Sequence, residues 1–253
     1  MRWNLFGVEA NTDTPSADGC VWTVASSAGW DAPDQRTLFT SPTGRDGQRV
    51  SNMYAEGRAV TIEGLIFAPD DASAWAAYDR VTSSMPGLRG YDYITAYEPV
   101  PKSLKAIQAG PPRVTKPAGR QLRYQLSLLA EYPWKRAVTA STVTVGAGAT
   151  VAHDAAGTFP AEVEVTLTSA GTVDLTIGGQ RLRTTSLPNG AVLTSGFGFI
   201  RPARTIRSAL PANENLFGAI VQPMQWPAIS PGANTIRQAG SAALSIRYFP
   251  TYA

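Results

Sequence analysis

Hydrophobic and polar positions alternate in twos along much of this chain, and that period predicts strands. In Arg58–Ala68, Val60, Ile62 and Ile66 share one face with Gly64 among them, while Thr61, Glu63, Leu65 and Phe67 share the other. A glycine inside such a run predicts a bulge or a close backbone approach. In Gln121–Glu131, Leu122, Tyr124, Leu126, Leu128 and Ala130 point one way, and Arg123, Gln125, Ser127 and Glu131 point the other. A slip of one residue would expose the whole apolar set, so the core-facing side is well specified. Tyr91–Tyr97 and Ser103–Ala109 read as strands between these two.

One stretch has the helical period instead. Asp70–Met85 places Trp75, Tyr78, Val81 and Met85 on one stripe, with Asp70 or Asp71 as the N-cap and Pro86-Gly87 as the stop. The predicted helix is 71–85, with that stripe buried. Residues 1–57 are weakly periodic and read as loop-rich, with short strands near Cys20–Ala25 and Arg36–Thr40.

Composition shifts after residue 134, where small residues and Thr replace aromatic ones. Val163, Val165 and Leu167 alternate with Glu162, Glu164, Thr166 and Thr168; Val173, Leu175 and Ile177 follow; Leu244, Ile246 and Tyr248 close the chain. Gly178-Gly179 and Asn189-Gly190 are hairpin-turn signals. Short strands with no helix between them predict an antiparallel sandwich. The fold expected is therefore mainly β. A small barrel or sheet with one short helix occupies 1–136, and an antiparallel β sandwich, galectin-like or jelly-roll, occupies 137–253.

Charge and chemistry narrow the function. The 253 residues carry 22 basic and 19 acidic side chains, a net charge of +3, spread along the chain. The nearest basic cluster is Arg201, Arg204 and Arg207, which reads as a solvated loop; sequence-specific nucleic-acid binding is not expected. No apolar run approaches the roughly 20 residues of a membrane span, and the N-terminus has no apolar export segment. A single cysteine, Cys20, allows no internal disulfide and is expected to be an inert thiol. With one histidine, His153, far in sequence from Cys20, a His/Cys zinc site has too few ligands. Any Ser-His-Asp triad would need His153, and no G-x-S-x-G elbow presents a serine. Gly146-Ala-Gly148 and Gly196-Phe-Gly198 lack the third glycine of a dinucleotide fingerprint. Glu162 and Glu164 stand about 7 Å apart on one strand face, the spacing of a glycosidase pair, but read as a solvent face over Val163 and Val165. The expectation is a non-enzymatic protein without cofactor, metal or catalytic residues.

Aromatic residues suggest contacts instead. Trp3, Trp22, Trp30 and Tyr54 lie in the weakly periodic N-terminal segment and are expected at a subunit interface. Trp226, Phe197 and Phe199 are candidate platforms for a sugar ring, with core packing as the competing reading.

The order of segments carries a resemblance. Gly57-Arg-Ala-Val-Thr-Ile-Glu-Gly-Leu-Ile-Phe-Ala68, running into Ala74-Trp-Ala-Ala-Tyr-Asp-Arg80, resembles the signature region of distal tail proteins and related minor tail proteins of long-tailed (siphovirus-type) phages. Lys105–Pro112, and Gln121–Pro133 with its close in Ala-Glu-Tyr-Pro-Trp (130–134), fit the end of that family's first domain. Pro231-Gly-Ala-Asn-Thr-Ile236, followed by Ala243–Pro250, resembles its closing hairpin. The resemblance implies a virion protein of the tail tip, assembled in the host cytoplasm. It implies a homohexameric ring joining the tail tube protein to the tail-tip hub or baseplate, with the tape-measure protein as a further candidate partner. It carries over no catalytic residue. The alternative is a carbohydrate- or receptor-binding module of the tail tip.

Overall fold

The computed structural model describes residues 1–31, 35–40, 49–55, 57–85, 90–115, 119–130, 132–194, 205–208, 219–221 and 226–253, with the side chains of 35–40, 49–55, 84 and 205–208 excepted. The chain divides into two compact units, Met1–Lys135 and Arg136–Tyr252, with Ala253 counted in the first. It is mainly β, and its one α-helix lies in the first unit.

The first unit runs β1 (Arg2–Leu5), β2 (Val8–Ala10), β3 (Val21–Ala28), β4 (Gln35–Thr40), β5 (Arg49–Ala55), β6 (Arg58–Phe67), α1 (Asp71–Asp79), β7 (Asp92–Tyr97), β8 (Lys102–Gln108), β9 (Arg113–Val114) and β10 (Gln121–Ala130). Neighbours follow the order β8-β7-β1-β2-β3-β6-β10, and β10 pairs back onto β8, so seven strands close into a barrel. β9 pairs the outer edge of β10, and β4 with β5 forms a separate hairpin. The inward residues are those the alternation predicts: Val60, Ile62 and Ile66 from β6, and Leu122, Tyr124, Leu126, Leu128 and Ala130 from β10.

Gly64 is a close-approach glycine. A Cβ there would sit 1.8 Å from the Thr23 carbonyl oxygen and 2.7 Å from the Tyr124 hydroxyl. The Tyr124 ring covers this bare stretch of β6, and its hydroxyl donates to Thr23 O at 2.9 Å. The opposing β3 is bulged between Val24 and Ser26, directly across from Gly64. Burial holds the Tyr124 hydroxyl well above its ordinary pKa.

The helix is capped as predicted, with Asp70 Oδ1 accepting from Ser73 N at 2.7 Å. Its α-helical part ends at Asp79, and Arg80–Ser84 forms a π turn closed by Met85 N donating to Arg80 O. The predicted stripe is corrected in part. Val81 and Met85 are buried and Tyr78 is half-buried, but Trp75 is 48% exposed. Ala74 and Ala77 face the barrel instead, because small side chains let the helix lie close against β6 and β10. The N-terminal segment is also more regular than expected. β1 and β2 form a two-residue hairpin whose turn, Phe6-Gly7, has positive φ at both positions (53° and 87°).

The second unit starts with β11 (Lys135–Ala137), which carries the chain across the boundary. It continues with β12 (Ser141–Val145), β13 (Thr150–Ala155), β14 (Ala161–Leu167), β15 (Gly171–Ile177), β16 (Gln180–Leu187), β17 (Ala191–Thr194), β18 (Thr205–Ser208), β19 (Ala228–Ile229), β20 (Gly232–Gln238), β21 (Leu244–Tyr248) and β22 (Thr251–Tyr252). One sheet has the order β12-β21-β14-β17-β18 and the other β13-β20-β15-β16. Their facing aliphatic residues, among them Val163, Val165, Leu175, Leu182, Ile236, Leu244 and Ile246, form one core, which makes a two-layer sandwich. Gly178-Gly179 is a hairpin turn between β15 and β16, with φ of 56° and 82°. Asn189-Gly190 departs from the expectation. It joins β16 to β17, which belong to different sheets, so it is a corner rather than a hairpin.

Candidate functional site

The three tryptophans expected at a subunit interface lie inside the barrel. Trp3, Trp22 and Trp30 are each no more than 2% exposed. Trp3 meets Trp30 edge to face at 4.8 Å, and Trp22 packs on Tyr124 at 5.5 Å. The expectation of an interface role is corrected for these residues, because their area is already buried within one chain. The signal that misled is broken alternation: Trp3 sits on a four-residue strand that ends in a turn, and Trp22 on a strand interrupted by a bulge. The side chain of Tyr54 lies outside the described residues, as do Phe197 and Phe199. Trp226 is half-buried against the sandwich core, and its indole N–H donates to Val163 O at 3.2 Å.

Trp30 anchors a buried cationic group. Arg58 Nη1 and Lys135 Nζ both donate to the Trp30 carbonyl, at 2.7 and 2.9 Å, and Trp30 Nε1 donates to Glu98 at 2.8 Å. Burial, with Arg58 adding repulsion, pulls the Lys135 pKa down to about 8. Hydrogen bonds from Lys102 and Trp30 outweigh burial at Glu98 and lower its pKa. The Arg58 pKa is also lowered by burial, and its Nε and Nη2 have no hydrogen-bond partner among the described residues.

The groups that could carry chemistry are engaged elsewhere. Cys20 is buried, and burial together with Asp18 raises its pKa to about 11, so the protonated thiol dominates at neutral pH. His153 Nε2 lies 2.7 Å from the Tyr248 hydroxyl, which burial shifts above its ordinary pKa. Glu164 pairs with Arg247 at 3.6 Å on the outer face of its sheet. Among the described residues no three His, Cys, Asp or Glu side chains converge as a metal site would require. A surface hollow of about 480 Å³ is lined by Arg2, Glu9 and the 12–17 loop, but Arg2 is bonded to Glu9 at 3.0 Å and stacks 4.1 Å over Tyr97.

Among the described residues, the first unit presents several apolar side chains at its surface. Leu129 on β10 pairs with Ile107 on β8, and the register that sets Asp92 opposite Ala106 puts Tyr91 beside Ile107. Leu129 also faces Ala59 on β6. Tyr91, Ile107, Leu129 and Ala59 thus form a row across the outside of the barrel, with Tyr91 and Leu129 each about two-fifths exposed. Phe67, at the other end of β6, and Trp75, on α1, are exposed as well, and Trp75 stacks edge to face on Tyr78 at 5.6 Å.

The Dit protein of phage SPP1, described as a paradigm of the hub adsorption apparatus of phages that infect Gram-positive bacteria, superposes on this chain at a TM-score of 0.73. The match covers 100% of this chain and 99% of that one at 12% identity. The chain has the fold of a phage hub protein. At that identity the likeness to the Dit protein is one of architecture, and it runs through both the barrel and the sandwich. Two chains from the activated baseplate of phage P2 align over 89% of this chain and 90% of theirs, at TM-scores of 0.47 and 0.49 and identities of 9% and 8%. That likeness is too loose to carry weight. No protein-family model and no curated protein matches the sequence.

Proposed function

We propose that this chain is a non-enzymatic structural protein of a phage tail tip, whose barrel units join head to tail in a closed, six-membered ring. The ring would link the tail tube protein to the tail-tip hub or baseplate in the virion. The observation that carries the reading is the full-length match in architecture to the SPP1 hub protein, covering both units rather than one common domain. The segment-order resemblance to distal tail proteins points the same way. The engaged states of Cys20, His153 and Glu164 support a role without turnover.

The surface of the barrel suits such a ring. A heterologous interface needs two different complementary patches on each subunit, whereas a two-fold interface needs one self-complementary patch. The Tyr91–Ile107–Leu129–Ala59 row, at one end of β6, and the exposed Phe67 and Trp75, at its other end and on α1, supply apolar side chains from different parts of the barrel unit. None of these residues belongs to the buried core of the barrel.

Mass photometry of the purified chain at micromolar concentration, or on tail-tip assemblies where the ring needs its neighbours to form, tests this. The expected species has six times the mass of the chain. Leu129→Asp and Trp75→Asp should each abolish it while leaving the monomer folded. A protein that is monomeric alone and in every tail-tip assembly contradicts the reading.

A further inference from the structure

The outer face of the sandwich sheet β13-β20-β15-β16 carries a corner of arginines with too few acids to neutralise it. The register sets Arg181 on β16 beside Thr176 on β15, Thr176 beside Arg237 on β20, and Arg237 beside Thr150 on β13. Arg183, two residues on from Arg181, lies opposite Asp174 on the same face. Arg181, Arg183 and Arg237 alternate with the buried Leu182 and Ile236, so all three project outward, and all three are exposed. Asp174 is the one acid among them. Both of its oxygens are held by Arg181, at 2.7 Å each, and its pKa is lowered, chiefly by that hydrogen-bonded pair. Among the described residues, Arg183 and Arg237 are therefore left without a carboxylate of their own. Asp154, the other acid on this face, lies opposite Ala233, two rows away from the Arg237–Thr150 pair.

We propose that this corner binds a linear, base-free phosphodiester polymer. The guanidinium fork matches phosphate oxygens in a bidentate way, which favours phosphate over a bare point charge as the complement. Arg183 and Arg237 stand two strands across and two residues along from each other, about 12 Å apart, with Arg181 between them. A chain with an anionic group at each short repeat reaches two of them at once. The rest of the corner is mostly threonine, Thr150, Thr176, Thr185 and Thr235, with the small Ala152 beside Thr235, so it offers hydroxyls and no large apolar side chain. A protein partner would need a desolvated apolar core. Single-stranded nucleic acid and neutral sugars would use aromatic faces for stacking, and the described residues of this corner supply none. The inference concerns the sandwich alone and stands whether or not the barrel forms a ring.

Biolayer interferometry of the full chain on immobilised poly(glycerol phosphate) tests it, at about 50 mM salt and again at higher salt. Binding is expected at low salt and should fall steeply as salt rises. The double variant Arg183→Ser/Arg237→Ser should bind at least about tenfold more weakly, with a salt slope smaller by about 1.4 for two lost contacts. Arg183→Lys/Arg237→Lys should fall between the two. Arg123→Ser, which removes a cation from the other unit, should bind like the parent chain. The proposal is overturned by absent binding at low salt, by a double variant that binds like the parent, or by Arg123→Ser weakening binding as much as the double variant. Equal or tighter binding to poly-glutamate would assign the face to an acidic protein segment, and equal or tighter binding to single-stranded DNA would assign it to nucleic acid; either result overturns it.

Discussion

The barrel and the sandwich fill their interiors with different chemistry. The barrel buries Trp3, Trp22, Trp30, Tyr124, Phe6 and Met85, together with the charged Arg58 and Lys135. Among the described residues, the sandwich buries mostly Val, Leu, Ile and Ala, with Tyr248 as the one fully buried ring. Geometry explains the contrast. A closed seven-strand barrel encloses a wide interior that rings fill well, whereas two sheets stacked about 10 Å apart are filled by interdigitated aliphatic side chains. The barrel's stability is therefore concentrated in a few interlocked positions, and that of the sandwich is spread evenly. Substitutions in the first unit should have large and localised effects, and those in the second should have small ones.

The largest effect is expected at Gly64. Gly64→Val forces a side chain into the Tyr124 ring and the Thr23 carbonyl, and should cost at least about 3 kcal/mol. In urea, the Trp22 fluorescence transition should move to lower denaturant while the sandwich transition stays in place. Coincident shifts of both transitions would show that the units do not behave separately.

Next is the buried lysine. The Lys135 pKa is depressed from 10.5 to about 8, so between those values the unfolded chain binds more protons than the folded one. This group's contribution to stability therefore rises with pH across that window. Cys20, raised from 9.0 to about 11, acts in the opposite direction, because the unfolded thiol ionises first. The comparison that isolates Lys135 is parent against Lys135→Met, in urea at pH 7.5 and pH 10. The parent should gain stability relative to the variant as pH rises. A pH-independent difference would mean that the lysine is not desolvated.

The smallest effect is expected in the sandwich. Tyr248→Phe removes the 2.7 Å hydrogen bond to His153 but keeps the ring. It should cost about 1 kcal/mol, read as a small shift of the second transition only. A loss as large as that from Gly64→Val would undo the contrast between the units.

The fold was most legible where one strict period runs for many residues. β6 and β10 alternate for ten residues each, and the apolar positions the pattern assigns to their inward faces are buried, with Arg58 an unforeseen addition to that of β6. Gly64 stood out because it interrupts an otherwise apolar face. The hairpin of β1 and β2 was hidden, because its strands are only four and three residues long and its turn places Phe6 at positive φ, where Asn, Asp or Gly is the usual signal. Burial of the Phe6 ring in the barrel core offsets that backbone strain. Trp75 was misassigned because helical spacing identifies a stripe without saying which stripe faces inward. Here the close approach of helix to barrel selects alanines. The candidate surfaces were the least legible part. The row through Leu129 is assembled from four segments far apart in sequence, and only strand register brings them together.

Mixing the two single-patch variants tests the account most directly. Leu129→Asp keeps Phe67 and Trp75 intact, and Trp75→Asp keeps the Leu129 row. If the patches meet head to tail, each variant alone is monomeric, and an equimolar mixture shows dimers by mass photometry and nothing larger, because one intact contact cannot close a ring. Dimers of either variant alone, or full-size rings from either, would contradict it.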